Sequence, residues 1–282
     1  MKVILALFFV AFNIFSESLF SQWNIQSPLP QEENLIDIFF IDSEEGWILC
    51  RQDRILHTTD GGGTWKIQNI GQTNTLNSCY FITAQQGFIV GNTGTYLITN
   101  DGGETWEEVD IVDDQNLKDI LFINQDTGFL VGSEGLVLFT ENNGISWEIV
   151  DTQTNEQFNS IFFYQRFGWI FGENGTYLIT ENNGTTWTLM SYYGDMNSSW
   201  FIDSLNGWVA CDDGYILNTD DGGVSWDFTN FSSYNLYSII FSDSQCGFTN
   251  ESSNKIGYTN NAGQTWIYKD LDLNGHYIDD IY

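Results

Sequence analysis

Residues 58–65 read Thr58-Thr59-Asp60-Gly61-Gly62-Gly63-Thr64-Trp65, and the chain repeats that pattern five more times. The shared form is Thr-x-Asp/Asn-x-Gly-x-Thr/Ser-Trp. The second copy holds Thr99, Asp101, Gly103, Thr105 and Trp106, and the third Thr140, Asn142, Gly144, Ser146 and Trp147. The fourth holds Thr180, Asn182, Gly184, Thr186 and Trp187, and the fifth Thr219, Asp221, Gly223, Ser225 and Trp226. Thr259, Asn261, Gly263, Thr265 and Trp266 make the sixth, so the indole returns every 39 to 41 residues. Self-similarity at that period marks a repeat architecture. Six copies in register exclude coincidence.

A second landmark keeps the same beat. Gly46, Gly87, Gly128, Gly168, Gly207 and Gly247 each precede Trp or Phe, and each follows an apolar run such as Ile38-Phe39-Phe40-Ile41. These runs are rich in Ile, Phe and Val, bounded by turn formers and too short for helices, so they read as strands. Four short strands in about 40 residues describe one propeller blade. With the strands of a blade lettered A to D, the first unit places A near Ile36–Ile41, B near Trp47–Cys50 and C near Ile55–Thr58. D begins near Thr64. The expected fold is all-β, a propeller of four-stranded antiparallel blades with six complete repeats and parts of a seventh.

The octet then forms the C–D hairpin. Its Asp or Asn bonds backbone N–H groups of its own turn, and Gly takes the positive φ that other residues resist. The Trp fills space between blades. On this reading Asp60, Asp101, Asn142, Asn182, Asp221 and Asn261, with Trp65, Trp106, Trp147, Trp187, Trp226 and Trp266, are architectural. Three of the six copies carry Asn, which cannot act as a carboxylate.

Fragments at both ends belong to the pattern. Trp23 to Ser27 resembles a strand D, and Asp280-Ile281-Tyr282 the start of a strand A. Propellers close by letting one end of the chain complete a blade, which hides a sheet edge. Sevenfold geometry is therefore expected, with a natural chain that continues by at least about 20 residues, half a repeat.

Composition narrows the function. The 282 residues carry 38 Asp and Glu against 8 Lys and Arg, a net charge of -30. Such a surface repels phosphate backbones and anionic lipid, so no nucleic acid or membrane partner is expected. Aromatic residues at 16% set the chain apart from a disordered acidic tail. Met1-Lys2, the apolar run Val3 to Phe15 and the small residues Ser16, Ser18 and Ser21 read as a signal peptide over 1–21. The propeller then spans 22–282. The expected location is secreted, periplasmic or at the cell surface, and the expected state is a monomer.

The octets, the Gly-Trp strands and Gly-x-x-Gly turns such as Gly91-Asn-Thr-Gly94 resemble the photosystem II assembly and stability factor family of propellers. The resemblance covers nearly all of the mature chain, and many secreted bacterial proteins carry the same domain. It implies a seven-bladed, non-enzymatic binding protein. Photosynthetic members, as the resemblance has it, use basic patches; here the arginines are Arg51, Arg54 and Arg166 alone.

The same octet occurs in sialidases and xyloglucan-cleaving endoglucanases. A sialidase needs three arginines around one carboxylate. Arg51 and Arg54 fall at a B–C turn and Arg166 at an A–B turn, on opposite faces of a ring of alternating strands. A paired-carboxylate glycoside hydrolase would draw on Asp113, Asp114, Asp212 and Asp213. His57 and His276 show no metal-ligand spacing, Cys79 reads as a buried small hydrophobe, and no disulfide or cofactor is expected. Asp270, Asp272 and Asn274 match the first half of a calcium loop, whose twelfth position is Ile281 instead of an acid.

The favoured reading is a binding or scaffold propeller with no catalytic residues. Its contact face is made by B–C turns and D–A linkers, where the repeats diverge most. Tyr192, Tyr193, Asp195, Asp212, Asp213, Tyr215, Phe231 and Tyr234 lie there. Aromatics beside carboxylates suit a protein or a carbohydrate.

Overall fold

The computed structural model describes residues 35–50, 54–71, 74–252 and 255–270. Among them the chain folds into a six-bladed β-propeller, each blade a four-stranded antiparallel sheet in plain chain order. Blade 1 runs Leu35–Phe40, Gly46–Cys50, Arg54–Thr58 and Lys66–Asn69. Strand D starts two residues later than its expected place near Thr64. The reason is local: the Thr64 N–H and hydroxyl are both held by the Asp60 carboxylate, at 2.7 Å each, so Thr64 still belongs to the turn.

The A strands, Leu35–Phe40, Leu76–Phe81, Leu117–Phe122, Phe158–Tyr164, Met196–Phe201 and Leu236–Phe241, pack on one another in succession around the axis. No comparable packing joins the sixth to the first among the described residues.

Adjacent blades are riveted by aromatic rings. The B-strand ring of one blade lies on the A-strand Phe of the next: Trp47 on Phe81, Phe88 on Phe122, Phe129 on Phe163, Trp169 on Phe201 and Trp208 on Phe241. That Phe in turn meets its own octet's indole edge-on, as Phe81 meets Trp106 at 83°. Where the B-strand ring is Trp, its Nε1–H also donates to the next blade's octet: Trp47 to Gly102 O, Trp169 to Gly222 O and Trp208 to Ala262 O. In blade 2, whose ring is Phe88, the Tyr96 hydroxyl reaches Gly144 O instead, at 3.1 Å. Buried rings stacked this way contribute beyond their area.

The same Phe explains the Gly-aromatic landmark. It folds back across the B strand, so a Cβ at Gly87 would lie 2.3 Å from the Phe81 ring. Only a residue without a side chain fits there.

Candidate functional site

The octets are turns, and their chemistry is spent on themselves. In the first, Thr58 Oγ1 donates to Asp60 Oδ1 and accepts from Gly62 N, while Asp60 accepts from the Thr64 N–H and hydroxyl. These donors, the Thr64 N–H foremost, hold the Asp60 carboxyl below the ordinary carboxylate range. In the Asn copies only the last bond reverses. Asn142 Nδ2 donates to Ser146 Oγ at 2.8 Å, and Oδ1 still accepts from Thr140 and from the Ser146 N–H. Acid and amide thus serve the turn equally, since a hydroxyl can donate or accept.

The opposite face is built from B–C turns that grip the linkers on either side. In Gly91-Asn-Thr-Gly94, a Cβ on Gly91 would lie 2.5 Å from Thr75 O in the preceding linker. One on Gly94, where φ is +75°, would lie 2.3 Å from Val112 O in the following one. The turn of blade 5 repeats this: Asp212 N donates to Asp195 O, and a Cβ on Gly214, where φ is +74°, would lie 2.1 Å from Ser232 O. Gly214 O accepts from Phe231 N.

On this face a pocket of about 330 Å³ opens between blades 4 and 5. Its walls are the linker Tyr192, Tyr193, Gly194 and Asp195 and the turn Cys211, Asp212, Asp213 and Tyr215, backed by Leu217 and Phe228. Six of the eight residues singled out from the sequence therefore converge on one cavity. The linker that forms it is short: Trp187 to Met196 spans two residues fewer than Trp147 to Phe158.

The polar groups are held in place. Asp195 Oδ1 accepts from Asn174 N at 2.8 Å, and Asp212 Oδ1 from Asn197 Nδ2 at 2.8 Å. Asp213 is exposed, has φ +56° and gives its N–H to Asn235 Oδ1. The Tyr192 hydroxyl donates to Trp226 O at 3.3 Å, while Tyr193 is 77% exposed. Burial pushes the Cys211 thiol up, and the carboxylates of Asp212 and Asp195 push it further, so it is no nucleophile at neutral pH.

Phe231 and Tyr234 do not join the pocket. Phe231, partly exposed, packs edge-on to Trp266 and Tyr268 between blades 5 and 6. The reason lies in strand C of blade 6: Gly257 leaves room for the ring, whose Cζ would be 2.6 Å from a Cβ there. Tyr234 is half exposed on the next linker. The pocket contains one aromatic that sequence reading missed. Phe228 is 62% exposed on an outer strand and makes an edge contact with Tyr215.

A second set of carboxylates, partly buried between blades, also escaped notice. Every A strand pairs with its B strand through a bulge near its first residues. Asp119 beside one bulge bridges blades 2, 3 and 4, accepting from Ser78 Oγ, Ile120 N and Ile161 N. Burial raises its carboxyl to about 6 against those three donors. Asp37 plays the same part, accepting from Cys79 N at 2.7 Å.

The other sequence candidates lie apart. Arg54 opens strand C of blade 1, and Arg166 lies over the Phe167 ring at an A–B turn on the other face. Arg51, Asp272, Asn274 and His276 lie outside the described residues, and Asp270 ends the strand Ile267–Asp270. His57 stacks on Trp47 and bonds Glu45 Oε1 at 3.1 Å. Among the described residues no group of three or more His, Cys, Asp or Glu has metal-binding geometry, and no helix is long and apolar enough to cross a membrane.

Known proteins share this build. A solved structure of YCF48 from Cyanidioschyzon merolae matches with a TM-score of 0.70 at 18% identity, covering 87% of each chain. A structure titled YCF48 bound to D1 peptide matches with a TM-score of 0.71 at 19% identity, over 86% of this chain and 82% of that one. An ancestral GH74 enzyme matches with a TM-score of 0.67 at 11% identity, over 84% of this chain and 38% of that one. At these identities the likeness is one of fold. No curated protein sequence matches the chain. The family model described as photosynthesis system II assembly factor YCF48 matches residues 15–114 and 105–199, together more than half of the chain. With its octets, Gly-aromatic strands and propeller blades accounted for, the chain belongs to the YCF48 assembly factor family.

Proposed function

We propose that this protein is an exported, non-catalytic scaffold that holds a protein partner on the face of B–C turns and D–A linkers. The observation that carries the reading is the blade 4–5 pocket, where the repeat abandons its regularity and presents four aromatic rings and three carboxylates. The family supports it, being one of assembly factors, and a YCF48 has been solved with D1 peptide bound. Exposed aromatics on a rigid ring are suited to partner recognition at low entropic cost.

Among the described residues the A strands of blades 6 and 1 do not pack as those of adjacent blades do, and a seventh sheet would fill the place between them. Such a ring would hide its last sheet edges.

Affinity capture with the full chain tests the binding role. A partner retained by the native chain and lost with Tyr193→Ala/Phe228→Ala, but kept when Ile145 and Val224 at the octet turns are changed to Ser, is the expected result. Sugar released from a polysaccharide or sialoside, and abolished by Asp213→Asn, would replace the scaffold with a glycoside hydrolase.

A further inference from the structure

We propose that the blade 4–5 pocket captures a lysine or arginine side chain presented by a basic protein segment, an inference that rests on the protein-binding reading above. The pocket's walls hold three carboxylates, Asp195, Asp212 and Asp213, and no Lys, Arg or His. One oxygen of Asp195 and one of Asp212 are engaged by Asn174 and Asn197. Among the described residues no hydrogen bond reaches the other oxygen of either, or either oxygen of Asp213. No protein donor meets those oxygens, and a guanidinium or ammonium supplies donors only.

The apolar part fits the rest of such a side chain. Tyr192, Tyr193, Tyr215, Phe228 and Leu217 line the rest of the pocket. Aromatic faces attract cations, and the methylene stem of a long basic residue lies along apolar walls while its head meets charge.

The neighbouring cleft shows that the cavity is not a generic feature of the ring. Between blades 5 and 6 the corresponding space is filled by Phe231, packed into Gly257. Strand pairing places Leu217 opposite Phe228 just as Gly257 lies opposite Tyr268. Leu217 therefore stands where an inward ring would go. Tyr192, at the linker position that Phe231 holds, turns to Trp226 O instead, and the cleft stays open. The net charge of -30 draws basic segments toward the whole surface. The pocket gives that attraction an address.

The test is a fluorescence anisotropy titration of the full chain with an arginine-containing Gly/Ser peptide. Its lysine and citrulline counterparts and a panel of neutral oligosaccharides complete the set, all at about 0.15 M salt to screen diffuse attraction. The arginine and lysine peptides should bind, and the citrulline peptide about tenfold more weakly, the loss expected for a charge-assisted bond. Asp213→Asn should weaken binding about tenfold, and Tyr193→Ala and Phe228→Ala several-fold. Asp220→Asn and Glu141→Gln, exposed at the octet turns, should leave it unchanged. Equal losses from all charge removals would mean bulk attraction and overturn the proposal. So would equal binding of the citrulline peptide, or its replacement by an oligosaccharide ligand at the same residues. If a captured partner depends on linker-face residues while the arginine peptide ignores the pocket, this inference fails and the scaffold reading stands.

Discussion

The ring of Trp47 lies flat on that of Phe81, centroids 3.6 Å apart and planes within 6°, so the second strand of one blade is stacked on the first strand of the next. Both rings are almost fully buried. The same contact recurs around the propeller, which makes the ring cohesive through side chains although no hydrogen-bonded sheet crosses from blade to blade.

Trp169 tests that cohesion. Its indole stacks on Phe201 at 3.7 Å and donates to Gly222 O at 2.7 Å. Trp169→Phe keeps a ring, as Phe88 and Phe129 do elsewhere, and should cost about 1–2 kcal/mol for the lost hydrogen bond and volume. Trp169→Ala should cost about 3–5 kcal/mol through the cavity it leaves. Urea denaturation with an unchanged slope checks both.

Gly87→Ala should destabilise by about 1–3 kcal/mol, because the new methyl would press into the Phe81 ring. Phe81→Ala is costly alone but removes that clash. In a double-mutant cycle the pair should therefore show a coupling of at least about 1 kcal/mol, whereas independent sites would add.

Acid and amide should interchange within the octets. Asn142→Asp and Asp101→Asn are each expected to leave the thermal midpoint unchanged, since both residues complete the turn. Asn142→Leu removes the bonds to Thr140 and Ser146 and should lower the midpoint, at a cost of about 1–3 kcal/mol of stability.

Two classes of carboxylate give opposite pH dependence. Asp119 has a folded value of about 6, above 3.8, so its protonated form favours the fold. That contribution is full below 3.8 and is lost as pH rises through about 6, a change of about 3 kcal/mol. Octet carboxyls such as Asp101 and Asp221 are held low by their Thr105 and Ser225 partners. Their contribution is present above 3.8 and is lost as pH falls through the lowered folded values. Stability of the native chain minus that of Asp119→Asn, followed from pH 7 to pH 4.5, should rise toward acid; a flat difference would refute the assignment.

The blades were legible because Asp60, Trp65 and their counterparts recur at a fixed interval, and a turn's chemistry is local. The pocket was half legible. Tyr192, Tyr193 and Asp195 stand out in a linker, and Asp212 with Asp213 in a turn, but nothing in the sequence says that the two stretches converge. Phe231 and Tyr192 occupy the same place in their repeats, yet one is packed and the other lines a cavity. What separates them is Gly257 against Leu217, a choice made on another strand of the facing blade. Phe228 escaped because an isolated outer-strand aromatic reads as rim. Asp119 escaped because its partners, Ser78 and Ile161, belong to other blades.

Hydrogen–deuterium exchange of the full chain, with and without the arginine-containing peptide, tests the central claim that the linker face and not the octets does the binding. Protection confined to residues 192–195, 211–215 and 227–230 is the predicted result. Protection at the octet turns around Asp101, Asn142 and Asn182, with the blade 4–5 cleft unchanged, would contradict it.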